Sequence, residues 1–128
     1  MLPGGRPRSL APSTDDTSLA DDIEFKAQDR CLQMCVPGET MGRASAEVNK
    51  IIVEGLLELG ILKGTVTELL DRRIYSTFMP HGLGHSVGLD VHDPGSINPF
   101  KPGMVVTCEP GICESRLCVC PPVCYLYL

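Results

Sequence analysis

The sequence predicts an α+β chain, and two observations carry that reading. Apolar residues recur at helical spacing up to about position 73. After Ile74 the texture changes to glycine- and histidine-rich stretches with short β-prone runs. A length of 128 residues allows one domain or a part of one.

Residues 1–22 read as a disordered leader. They hold Pro3, Gly4, Gly5, Pro7 and Pro12, then a Ser/Thr/Asp run. Asp21 and Asp22 read as caps of a first helix, since carboxylates suit the positive helix start. Ile23, Ala27, Cys31, Met34 and Cys35 line one face of it, and Pro37-Gly38 ends it. A second helix carries the stripe Val48, Ile51, Ile52, Leu56 and Leu59, with Gly60 placed as its terminating glycine. A short third helix starts at Thr65, where Thr65 and Glu68 form a T-x-x-E capping box, and closes near Arg72-Arg73. Strands are expected around 74–79, 88–92 and 104–108, the last from the run Met104, Val105, Val106, Thr107, Cys108. Residues 113–128, CESRLCVCPPVCYLYL, follow no periodic pattern and read as a divergent Cys-rich tail.

Composition narrows the class. An apolar fraction of 43% with 21% charged residues fits a globular chain. A net charge of −5 argues against binding nucleic acid by bulk charge. No apolar run approaches the ~20 residues of a membrane span. Arg6 and Arg8 are followed by no apolar core of a secretory signal, so a cytoplasmic chain is expected. Seven cysteines, an odd count without a signal peptide, are expected to be reduced thiols rather than a disulfide framework.

All three histidines fall within PHGLGHSVGLDVHD: His81, His85 and His92, the last bracketed by Asp90 and Asp93. Glu109 follows at the end of the apolar run, where a carboxylate needs a compensating cation. Singly, each has an ordinary reading: His81 a polar loop residue, Glu109 a strand-end carboxylate. Together, histidines and a carboxylate converging from separate segments suit a divalent metal that activates water. Gly82, Gly84 and Gly88 would let backbone come close.

FMPHGLGHSVGLDVHDPG with KPGMVVTCEPGI resembles the signature of proline-specific metallopeptidases, the Xaa-Pro dipeptidases and Xaa-Pro aminopeptidases. CVPGE and EGLLELGILKG extend the resemblance to roughly residues 24–112. It implies a partial pita-bread fold, helices packed on a curved antiparallel sheet, incomplete at both ends. It also implies hydrolysis of the peptide bond preceding proline in a peptide substrate, by a hydroxide activated between two manganese ions. Carried over residue by residue, His85 and Glu109 match metal ligands, and Glu109 doubles as a proton shuttle. His81 and His92 match substrate-binding histidines, His92 also acting on the transition state. Asp90 or Asp93, if close to the His92 ring, would favour its protonated form.

The resemblance also leaves gaps. The family's aspartate pair lies on strands upstream of the first helix, where Asp15, Asp16, Asp21 and Asp22 have no strand context. Its last glutamate lies beyond EPG, and Glu114 is not counted for it. The expectation is a leader over 1–22, a partial catalytic domain over 23–112, and a tail over 113–128 from a splice variant, frameshift or faulty gene model. Such a chain would be inactive alone and prone to self-association. Two rivals stand beside this reading. One is a non-catalytic fragment that pairs with another chain; the other is a small zinc module on Cys113, Cys118, Cys120 and Cys124.

Overall fold

The computed structural model describes residues 15–93, 97–113 and 124–127, the last four by backbone alone. The elements are α1 (Asp15–Met34), α2 (Met41–Glu58), α3 (Val66–Asp71), α4 (Tyr75–Phe78), β1 (Val105–Cys108) and β2 (Cys124–Tyr127). No helix among the described residues is long and apolar enough to cross a membrane.

α1 and α2 form the helical layer. α1 buries Ile23, Ala27 and Cys31, and Cys35 just beyond its end, the face expected from their spacing. α2 buries Val48, Ile52 and Leu56 from the expected stripe and adds Met41, Ala44 and Val53. Ile51 and Leu59 pack at the margin of the core. The helices approach closely at Gly55, where an added Cβ would come within 2.5 Å of Ile23. Burying such apolar faces supplies most of a helix's stability. The Arg30–Glu47 ion pair at 3.1 Å bridges the same two helices but is half exposed and adds little.

The caps explain the boundaries. The Thr40 hydroxyl accepts from the Arg43 N–H and starts α2. Gly60, at φ +72°, ends it: its N–H reaches Leu57 O, and the Ile61 N–H reaches Leu56 O. The Thr65 hydroxyl accepts from the Glu68 N–H, as the capping box requires.

Three expectations are corrected. α1 begins at Asp15, inside the expected leader, so Asp21 and Asp22 lie within the helix and cap nothing; residues 1–14 lie outside the described ones. Residues 75–78 form the single-turn helix α4 rather than a strand. Residues 88–92 form bends and a turn, not a strand.

Of the expected strands, 104–108 appears as β1. β1 pairs antiparallel with β2, Val105 opposite Tyr127 and Cys108 opposite Cys124, so part of the tail is β-structured. On its other side β1 meets residues 83–87. Val87 N–H donates to Val105 O, Thr107 N–H to His85 O and Glu109 N–H to Leu83 O, around an isolated Ser86–Val106 bridge. The core lies between this narrow sheet and the helices, with Leu83, Phe100, Val106 and Cys108 each at most 2% exposed.

Cys113 is buried and disulfide-bonded, whereas Cys31, Cys35 and Cys108 are buried thiols outside any disulfide. The expectation of reduced thiols therefore fails at Cys113. A hydrogen bond with Cys31, together with burial, pushes the Cys35 thiol far up, so this pair is inert packing. The zinc reading of the tail rests on Cys118, Cys120 and the Cys124 side chain, which lie outside what the structure describes.

Candidate metal centre

The site is built on the pairing of residues 83–87 with β1. Thr107, 1% exposed, fixes His85 from across the ladder. Its hydroxyl accepts from the His85 N–H at 2.9 Å while its own N–H donates to His85 O at 2.8 Å. Gly84 makes this approach possible, because an added Cβ there would overlap Thr107 O outright. Two positions after Thr107, just past the end of β1, Glu109 comes up beside His85. His85 Nε2 and Glu109 Oε1 lie 3.1 Å apart, each side chain 26% exposed.

Hydrogen bonding defines what that contact can be. His85 Nδ1 lies 2.9 Å from Ser86 O, a carbonyl that can only accept, so Nδ1 carries a proton. In the neutral ring, Nε2 then holds a lone pair aimed at a carboxylate oxygen. Two acceptors at this distance repel unless a cation, a proton or a metal ion, lies between them. A ligating histidine whose other nitrogen donates to a backbone carbonyl is the usual outer arrangement of a metal site.

His92 stands beside the pair. Its ring centroid is 4.7 Å from that of His85, with the planes at 75°. His85, His92 and Glu109 share an open cleft of about 400 Å³ with Val87, Leu89 and Thr107. His81 is not brought to them. It lines a separate cleft of about 500 Å³ between α2 and the α4 region, and its Nδ1 meets Gly82 O at 2.9 Å. Neither Asp90 nor Asp93 forms an ion pair with His92 among the described residues. The Asp93 carboxylate packs instead on Gly88, where a Cβ would overlap it.

Two contributors escaped the sequence reading. Thr107 looked like one more residue of an apolar run. Glu24, on α1, accepts from the Ile112 N–H at 2.6 Å and so ties the helix to the turn that follows Glu109. Only a fold brings positions 88 residues apart together. Burial raises the Glu24 carboxyl, the Ile112 hydrogen bond lowers it, and Asp21 raises it further, with a net rise. The folded chain therefore holds this proton to higher pH than the unfolded chain does. Glu24 favours folding below the ordinary carboxylate range, and that contribution is lost as pH rises through the folded-state value. Glu24→Gln keeps an acceptor for Ile112 without the titration. Its melting temperature should lose this downward slope with rising pH; parallel melting profiles for the two chains would sink the assignment.

The donor set matches part of a metal site. His85 Nε2 and Glu109 Oε1 are close enough to share one ion. Yet no group of three or more His, Cys, Asp or Glu side chains converges on a metal position among the described residues. A four-coordinate divalent ion, and still more a two-ion site, needs more protein donors than this pair. The residues described in a single copy do not fit a complete centre.

The chain matches metallopeptidase family M24 over residues 15–119. It is 47% identical over 96 residues to the Xaa-Pro aminopeptidase of Haemophilus influenzae, covering 71% of this chain and 22% of that protein. The Escherichia coli Xaa-Pro aminopeptidase is 42% identical over 96 residues, with the same two coverages. Among solved structures, zinc-substituted E. coli aminopeptidase P in complex with product superposes with a TM-score of 0.73 at 39% identity, covering 78% of this chain and 24% of that one. Pseudomonas aeruginosa aminopeptidase PepP gives 0.72 at 31% identity, covering 77% and 24%. The chain thus spans about a quarter of the length of the relatives it matches. With a family match running from the start of α1 to beyond Glu109, and a fold shared with the aminopeptidase P structures, the chain belongs to metallopeptidase family M24.

Proposed function

We propose that this chain carries the His85–Glu109 portion of the metal centre of a proline-specific peptidase, whose whole activity is hydrolysis of the peptide bond preceding proline. The reading rests on one observation above the others: the imidazole and carboxylate singled out in sequence meet at 3.1 Å, with the imidazole tautomer set by Ser86 O. The 47% identity to an Xaa-Pro aminopeptidase supports proline specificity. Manganese is the ion we assign, proline-containing peptides the substrate, and the cytoplasm the location. In the whole enzyme the narrow sheet would continue into the curved antiparallel sheet of the pita-bread fold.

The roles divide by placement. His85 and Glu109 hold the metal. His92, exposed at the rim of the same cleft, faces the substrate and stabilises the transition state. His81 serves substrate binding from its separate cleft. Glu109, only partly exposed, is placed to move a proton at its free oxygen.

Two protein donors do not make a hydrolytic centre, so this chain alone should be inactive. The test is direct. The purified chain is incubated with manganese and an Xaa-Pro peptide, beside a full-length relative. No turnover above the chain-free blank is expected. A rate comparable to the relative, abolished by His85→Ala, would overturn the reading. The rival, a non-catalytic fragment that pairs with another chain, is favoured by the N–H groups of Gly84 and Ser86, which make no hydrogen bond among the described residues.

A further inference from the structure

Glu109 opens a short segment whose backbone is anchored at a few points. The Glu109 N–H donates to Leu83 O at 2.7 Å, and the Cys113 N–H donates to Phe78 O at 2.6 Å. Between them Pro110 has no N–H to offer. Ile112 is held in another way. Its N–H donates to Oε1 of Glu24 on α1, at 2.6 Å. Among these anchors of the described residues, only that of Ile112 ends on a side chain.

We propose that Glu24 is a positioning residue for Glu109: it holds the turn after β1 so that the Glu109 carboxylate stays against His85. The proposal deepens the function proposed above and rests on the reading that puts His85 and Glu109 in one site. Three observations carry it. The first is the fixed end of the tether. Ile23 and Ala27, on the same helix, are buried in the core at 5% and 0% exposure. The backbone of Glu24 therefore does not follow the turn if the turn moves. The second is the stiffness of the segment between. Pro110 fixes one dihedral, and Pro110 and Gly111 are both buried, which leaves little room to reroute the chain. A shift at Ile112 is passed back to Glu109 instead of being absorbed.

The third is the narrow tolerance of the contact itself. His85 Nε2 and Glu109 Oε1 lie 3.1 Å apart, so a displacement of about 1 Å parts them. Without the Glu24 acceptor, the Ile112 N–H, half-buried, must find another partner, and an unpaired buried donor is costly enough to move the backbone. A partner that does no more than satisfy this N–H would change stability alone. A positioning residue changes where the Glu109 carboxylate stands, and the His85 ring reports that place.

The experiment therefore reads the ring. The chain, carrying isotope-labelled histidine, is followed by NMR at one fixed pH with chelator present, the His85 signals being assigned by their absence from His85→Ala. Amide exchange at Ile112 is measured beside it. In the unaltered chain the Ile112 amide should exchange slowly; exchange at the rate of a free peptide would overturn the proposal whether or not any variant folds. Glu24→Ala should speed that exchange by about 10-fold or more and displace the His85 ring signals. Glu24→Gln keeps the acceptor and should return both to the values of the unaltered chain. Ile23→Val, which trims the contact over Gly55, should lower the melting temperature and leave the His85 signals in place. His85 signals unmoved by Glu24→Ala, or moved as far by Glu24→Gln or by Ile23→Val, would overturn the proposal. Since chelator is present throughout, that result leaves His85 and Glu109 as ligands to be decided by metal analysis. A chain that shows the expected shifts yet holds no metal in any whole enzyme would overturn the ligand reading and keep the role of Glu24 in placing the carboxylate.

Discussion

Replacing Gly84 with alanine should cost the chain about 2–3 kcal/mol and uncouple His85 from Glu109. The expected size follows from what the new methyl group meets. It would overlap Thr107 O and lie 2.9 Å from the Thr107 carbonyl carbon, with Met41 Cε at 3.1 Å on the far side. The first two are backbone atoms of β1, held by β2 and by the ladder to residues 83–87, and cannot swing aside as a side-chain end would. Relief comes only by lifting 83–87 off β1. That breaks the Thr107 clamp and moves the imidazole away from the carboxylate. Gly82→Ala is the matched control, since nothing lies within 4 Å of a Cβ there. A shift of 1 kcal/mol moves the melting temperature by roughly 4–8 °C in a domain of about 100 residues and by roughly 2–4 °C in one of about 150 or more, so for a length between these the pair is easily separated. Equal melting temperatures for the two variants would show that the close approach at Gly84 is not what holds the site.

The helices were legible because their signals are local. Val48, Ile52 and Leu56 mark α2 by spacing alone. Thr65 and Gly60 mark ends because a hydroxyl or a left-handed backbone is needed there. The misreadings have a common origin in weak local preference overridden by neighbours. Asp15 to Asp22 is polar enough to pass for a leader, yet it continues the helix whose Ile23 packs over Gly55. Tyr75 to Phe78 is rich in β-formers. It nevertheless winds into α4, following a turn at Arg73 with φ 54° and a Ser76 hydroxyl bonded back to Arg73 O. Residues 88–92 alternate like a strand, but β1 offers no partner beyond Val105 and the chain turns on Gly88.

The site was half legible for a related reason. Glu109 stands out as a carboxylate at the end of an apolar run, and the resemblance of HGLGH and EPG to proline-specific metallopeptidases set His85 beside it. Thr107 and Glu24 are ordinary residues whose importance is purely positional, one across a ladder and one across the fold. The histidine cluster, compact in sequence, divides in space. The bend at His81 leaves its side chain in the cleft beside α2, and the bend from Gly88 brings His92 against His85.

That division predicts separate losses for the histidines once the remaining donors are supplied, as in a chimera that carries 83–113 of this chain within a full-length E. coli relative. His85→Ala should lower bound metal, because Nε2 is the nitrogen facing Glu109 and Nδ1 is committed to Ser86 O. His92→Ala should leave the metal in place and lower turnover by about 100-fold, the scale of losing one hydrogen-bond donor to a developing oxyanion. Its ring meets His85 edge-on from the exposed side of the cleft, able to reach a substrate without taking part in the His85–Glu109 contact. Metal analysis and steady-state kinetics on the same preparations separate the two effects. A loss in kcat with unchanged metal content at position 92, and a loss of metal at position 85, is the expected pattern. Metal lost on removing His92 but retained on removing His85 would reverse the roles and place the ion on the outer histidine.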